Sequence, residues 1–157
     1  MSLLHVVLWK WSQPNARETY TAQHVNVMAS MLARNLSGLR YRIVCVTDDA
    51  YGVMPETFPL WADHDNLANA TKWDLPSCYR RLKLYDPATQ AAMGIKPGDR
   101  IMGIDLDTLV LGDLKPVLAA AAKFRFMGWA LVGKHHPKVF NGSLQIFTAG
   151  DLSEIWT

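Results

Sequence analysis

The chain has 157 residues, a formal net charge of +2 and an apolar share of 50%. This is enough material for one domain with a core of its own, and too apolar for a disordered segment. The charge, dispersed except at Arg80, Arg81 and Lys83, is too small to indicate nucleic-acid binding, and no nucleic-acid partner is expected.

Leu3 to Trp9 is continuously apolar and rich in β-formers, and predicts a buried, central strand. In "NARE", Asn15 stands where an N-cap would sit and Glu18 follows three residues later. Val25, Met28, Ala29, Leu32 and Leu36 then recur at helical spacing. A helix from about Ala16 to Leu36 is expected, closed by Gly38. "YRIVCV" gives a second strand, and "TDDAYG" ends it in a loop carrying Asp48 and Asp49. Between Met54 and Trp73 a short strand near Phe58 to Trp61 is expected, with loop elsewhere. "SCYRRLKLYDP" reads as a short helix that stops before Pro87, and "KPGD" as a turn into a strand from Arg100 to Ile104. "TLVLGDL" then resumes as an extended segment, "KPVLAAAAKF" gives a short helix, and Arg125 to Val132 and "FNGSLQIF" give strands. "DLSEIWT" starts like a helix, with Asp151 as N-cap and Glu154 three residues on.

Two cysteines, Cys45 in "YRIVCVT" and Cys78 in "PSCYRRL", make neither a disulfide framework nor a metal knuckle, and both are expected reduced. "LLHVVLW" lacks a basic leader and reads as a strand, not a signal peptide. No apolar run approaches the roughly 20 residues of a membrane helix, so the expected location is the cytoplasm. Strands alternating with helices imply a single α/β domain over residues 1–157, a sandwich around a largely parallel sheet. Ligands gather at the carboxyl ends of the strands of such sheets, which directs attention to the loops after Trp9, Val46 and Ile104.

One of those loops carries an unusual feature. In "DRIMGIDLDTLVLGDL" an apolar strand runs into two aspartates, Asp105 and Asp107. Two residues apart on extended backbone, they would point to the same side and need a counter-charge. A hard cation such as Mn²⁺ or Mg²⁺ takes oxygen ligands and leaves positions for phosphate oxygens, which would make the pair an anchor for a metal-bound diphosphate. Taken alone, such a spacing more often means that one aspartate caps a turn and the other is solvated.

The ordered set of segments resembles the GT-A fold glycosyltransferases, in particular the glycogenin-like enzymes and related bacterial sugar transferases. "HVVLWKW" is similar to their first strand, "RIVCVTDDAYG" to the second strand and its acidic exit, and "YRRLKLY" to the basic helix before the metal motif. "GIDLDTLVLGDL" resembles their Asp-x-Asp strand, and "FNGSLQIFTAGDLSEIW" the later turn, strand and helix. The resemblance implies a Rossmann-like GT-A sandwich and transfer of a sugar from a nucleotide-diphosphate donor, a UDP-sugar by expectation, to a glycan, lipid or protein acceptor. It implies that Asp107 ligates Mn²⁺ or Mg²⁺ and that Asp105 binds the metal or the donor ribose. Trp9 and Lys10 would flank the nucleotide, Asp48 or Asp49 would lie near the base, and Arg81 near the donor sugar or phosphates. Asn141, Gly142 and Ser143 would line the sugar side. Family members usually continue well past the segment matched by "FNGSLQIF", so the chain is expected to be shortened at its C-terminus, with weak or missing turnover.

Two other readings compete. Haloacid-dehalogenase-like phosphatases also place Asp-x-Asp after an apolar strand, but Leu109 stands where their threonine or valine belongs, and their motif normally opens the domain. A shortened, non-catalytic nucleotide-binding domain is the other. Trp11 is read as a core or rim aromatic. Adjacent His135 and His136 would face opposite ways in a strand, and neither is assigned to a site.

Overall fold

The computed structural model describes residues 2–12, 18–62, 79–120, 125–128 and 140–156, with the backbone alone at 79, 125–128, 140 and 141. Asn15, Cys78, His135, His136 and the stretch after Gly128 of the expected fifth strand lie outside the described residues. The elements in order are β1 (Leu4–Lys10), α1 (Ala22–Asn35), β2 (Tyr41–Thr47), β3 (Glu56–Pro59), a 3-10 helix (Tyr79–Tyr85), α2 (Pro87–Ala92), β4 (Arg100–Ile104), α3 (Lys115–Ala120), β5 (Arg125–Gly128), β6 (Phe140–Thr148) and a 3-10 turn (Ser153–Ile155). They form an α/β structure around one six-stranded sheet of order β3-β2-β1-β4-β6-β5. The first four of these strands in the sheet are mutually parallel, and β6 runs antiparallel to both β4 and β5. No helix among the described residues is long and apolar enough to cross a membrane.

Every residue of β1 is buried because it lies between two paired strands and is covered on both faces. Alternation sends Leu4, Val6 and Leu8 to one side, where Val25, Met28, Leu32 and Leu36 of the α1 segment meet them. Val7 and Trp9 go to the other, among Leu84, Tyr85, Met93, Ile101 and Phe147. The continuous apolar run of β1 is thus the signature of a doubly covered strand.

Four boundaries differ from expectation. Strand β3 at Glu56–Pro59 starts and ends two residues before the expected Phe58 to Trp61, its limits set by parallel pairing with Val44 to Thr47 of β2. Helix α1 starts at Ala22 with Thr21 as N-cap, whose backbone N–H donates to His24 Nδ1 at 3.0 Å, so the described residues before it are not helical. The helical segment before Pro87 is of the 3-10 type, and a second helix begins at Pro87 itself. Proline is welcome in a first turn, where its missing N–H has no partner to lose, and the Asp86 carboxylate accepts from the N–H groups of Ala88 and Thr89 at 3.0 and 3.2 Å. At the other end of the chain the expected helix is a single 3-10 turn preceded by Leu152 in the left-handed region at φ 63°, which removes Asp151 from the N-cap position.

At the amino edge of the sheet a buried histidine and a half-buried aspartate hold the starts of β1 and β4 together. His5, fully buried, donates through Nε2 to Asp99 Oδ2 at 3.0 Å, and the same carboxylate accepts from the N–H groups of Leu3 at 3.1 Å and Lys96 at 3.2 Å. Burial by itself would raise the Asp99 pKa. The bonds from His5 and the two backbone N–H groups outweigh it and hold the carboxyl below its ordinary value.

Candidate functional site

The sheet order fixes where a ligand crevice opens. From β1 the chain moves to β2 and β3 on one side, then returns to place β4 on the other. Connections diverge at such a switch point, leaving a crevice beyond the carboxyl ends of the two central strands. Lys10 ends β1 there, and Asp105 follows directly on β4.

Strand β4 stops at Ile104, and the acidic residues stand on a turn instead of extended backbone: the Thr108 N–H donates to the Asp105 carbonyl at 3.2 Å. The expected reason for a shared direction, alternation along a strand, therefore does not apply. Nor does "TLVLGDL" resume as a strand; residues 108–111 carry no regular element, with Val110 buried while Leu109 and Leu111 are exposed. Leu106 packs into the core and anchors the turn, leaving Asp107 exposed and Asp105 partly so.

The Asp105 carboxylate is engaged. Arg81 Nη1 donates to its Oδ1 in an ion pair whose side chains are 19% and 22% exposed, which keeps it within reach of solvent. The guanidinium carbon of Arg81 lies 5.6 Å from the centroid of the Trp11 ring and 5.9 Å from that of Trp9, within cation–π range. Arg81 Nε is buried with no hydrogen-bond partner among the described residues.

The 3-10 helix that carries Arg81 is pinned to the sheet from below. Leu84 and Tyr85 are buried, Tyr85 stacks on Phe147 with centroids 4.5 Å apart, and the Tyr85 hydroxyl donates to Gln145 Oε1 on β6. Burial pushes the Tyr85 hydroxyl up to about 12, so it stays a neutral donor. Gln145 reaches across β4 at Gly103, where an added Cβ would meet its Nε2 at 3.0 Å and Cγ at 3.1 Å. A larger residue there would have to push aside the Gln145 side chain that holds Tyr85. Trp61 adds a second fixing point by donating through Nε1 to the Arg80 carbonyl at 2.8 Å.

On the α1 side of the crevice lies a cleft of about 430 Å³, lined among others by Lys10, Trp11, Tyr20, Asp48, Asp49 and Tyr51. Lys10 is buried and ties the exits of the two strands together, donating to the Asp49 carbonyl at 2.7 Å and to Thr47 Oγ1 at 3.4 Å. Asp48 Oδ2 accepts from the Ser12 N–H at 2.9 Å, and Asp49 Oδ1 from the Tyr51 N–H at 2.9 Å. Below them burial pushes the Cys45 thiol up to about 11 despite the nearby Lys10 ammonium, which leaves it unreactive.

The sequence-predicted residues thus fall into three groups. Asp105 meets Arg81 through its side chain and Ser143 through its backbone, the Ser143 carbonyl accepting from the Asp105 N–H at 2.9 Å, while Asp107 stands two residues on in the same turn and Asn141 and Gly142 precede Ser143 on β6. Lys10, Asp48 and Asp49 shape the neighbouring cleft. Trp9, at 3% exposure, sits beneath the crevice against Trp61, and Trp11 is the one of the two rings that lines the cleft. The alternate spacing of Trp9 and Trp11 puts both on one side of the chain, but only the burial of the strand end distinguishes a core ring from a rim ring. Tyr20 and Tyr51 also line the cleft, and the sequence offers no local signal that their loops converge there.

Among the described residues no three His, Cys, Asp or Glu side chains gather to hold a metal ion. Two carboxylates completed by phosphate oxygens fall below that number and have the hard-oxygen chemistry that Mn²⁺ and Mg²⁺ prefer. Of the two carboxylates, that of Asp105 is already paired with the Arg81 guanidinium. In comparisons with known proteins, no family model and no curated protein matches the chain.

Proposed function

We propose that this chain is a GT-A-like, metal-dependent glycosyltransferase domain that binds a nucleoside-diphosphate sugar, with a UDP-sugar as the expected donor. The observation that carries the reading is the acidic turn of Asp105 and Asp107 at the switch point between β1 and β4, beside Arg81 and a cleft of nucleoside size. In this reading Asp107, with Asp105, holds Mn²⁺ or Mg²⁺, which when bound supplies positive charge to the diphosphate leaving group. Arg81 adds a second, fixed cation on the diphosphate. The cleft between Trp11, Tyr20 and Tyr51 takes the nucleoside, and the Gly142–Ser143 edge of β6, open beside Asp105, faces the sugar.

Calorimetric titration of the full chain with UDP, with Mn²⁺ and with EDTA, tests this reading. Saturable binding is expected with Mn²⁺ and a loss of at least about tenfold without it, or about 1.4 kcal/mol. Metal-independent binding, or none by the folded chain, contradicts the reading. Release of phosphate from a simple phosphomonoester, with no UDP binding, would favour the phosphatase alternative.

A further inference from the structure

We propose that Arg81 is the internal counter-ion of the metal-free site: it holds Asp105 until a divalent cation and a diphosphate arrive together, and then exchanges the carboxylate for the diphosphate. The inference rests on the metal-diphosphate reading and adds a rule for how the two ligands bind. Three observations support it. Arg81 Nη1 is bonded to Oδ1 of the aspartate that the reading also offers to the cation, and a guanidinium and a divalent ion on one carboxylate repel each other. The guanidinium is otherwise held through the faces of Trp9 and Trp11, and its buried Nε has no hydrogen-bond partner among the described residues. Its helix is anchored through Leu84, Tyr85 and Trp61, so the exchange requires a side-chain rotation and no movement of the backbone.

The consequence is coupling. A cation binding alone must displace the guanidinium and leave it without an anion. A diphosphate binding alone must draw the guanidinium away and leave Asp105 without a cation. Together the two ligands satisfy both groups, and each strengthens the binding of the other by the same factor. Arg81 therefore opposes the cation in the empty site and supports the diphosphate in the filled one, a reversal that a purely structural residue does not show.

The test is Mn²⁺ binding to the nucleotide-free full chain, followed by the spectroscopic signal of free Mn²⁺, for wild type, Arg81→Met, Arg81→Gln and Arg81→Lys. The Met and Gln variants, which lack the competing charge, are expected to bind Mn²⁺ alone at least about fivefold more tightly than wild type and to bind UDP with Mn²⁺ more weakly. The Lys variant keeps the charge and is expected to stay near wild type for Mn²⁺ alone. Either uncharged variant is sufficient provided that it unfolds cooperatively. Equal or weaker binding of Mn²⁺ alone by a folded uncharged variant overturns the proposal. If wild type binds UDP with Mn²⁺ and the variants show no gain, the exchange alone fails; if wild type binds no UDP under any condition, the glycosyltransferase reading fails with it.

Discussion

Asp107→Asn is expected to abolish metal-dependent UDP binding, weakening it by roughly a hundredfold or more, while leaving the unfolding transition close to that of wild type. Asparagine preserves the shape of the side chain and removes the negative charge that a hard cation requires. The separation of function from stability follows from position. Asp107 is exposed on a turn anchored by its buried neighbour Leu106, and exposed substitutions of this kind usually shift stability by no more than about 0.5 kcal/mol. Calorimetry with UDP and Mn²⁺, paired with denaturant unfolding, measures both quantities on one preparation. Normal binding by the variant would remove Asp107 from the metal site.

The largest effect on stability is expected at the opposite edge of the sheet. Asp99→Ala deprives the buried His5 Nε2 and the N–H groups of Leu3 and Lys96 of their shared acceptor. Water can meet the exposed Lys96 N–H, but stranding the buried His5 Nε2 should cost about 2 kcal/mol. The sign of the pH dependence follows from the lowered pKa of Asp99. A carboxyl whose pKa is lower folded than unfolded stabilises the native state above its unfolded value, near 3.9, and that contribution is lost as pH falls through the folded value. The gap between wild type and Asp99→Ala should therefore be widest above about pH 5 and narrow as pH falls below about 4. A gap that stays constant down to pH 3 would show that the carboxylate charge contributes nothing and that the loss is one of packing.

The central strands were legible because their cause is local: β1, β2 and β4 are apolar runs bounded by polar turns, and the structure places them within a residue or so of expectation. The start of α1 was not, because Asn15 with Glu18 offers the same capping chemistry as Thr21 with His24, and sequence spacing cannot rank two such caps. The six-stranded sheet is less uniformly parallel than alternation suggested, since the direction of β6 depends on long-range pairing with β4. For the site, the acidic pair and its basic neighbour could be read as motifs, but their contact could not. Asp105 and Arg81 come together because the Tyr85–Gln145 bond and the Trp61–Arg80 bond draw the 3-10 helix onto the sheet, and no local pattern encodes those contacts. Likewise no local pattern shows that Lys10 is buried, with its ammonium held against the exit of β2.

Metal and diphosphate should share one location, and a crystal structure of the chain grown with Mn²⁺ and UDP, with Mn²⁺ identified by its anomalous scattering, tests this most directly. The predicted result places Mn²⁺ on Asp107 and a diphosphate oxygen beyond the ends of β1 and β4, with Arg81 turned from Asp105 to the diphosphate and the nucleoside beside Trp11. Mn²⁺ and UDP bound elsewhere would contradict it, for instance in the cavity of about 310 Å³ between Leu4, Arg40, Arg100 and Leu118 at the amino edge of the sheet.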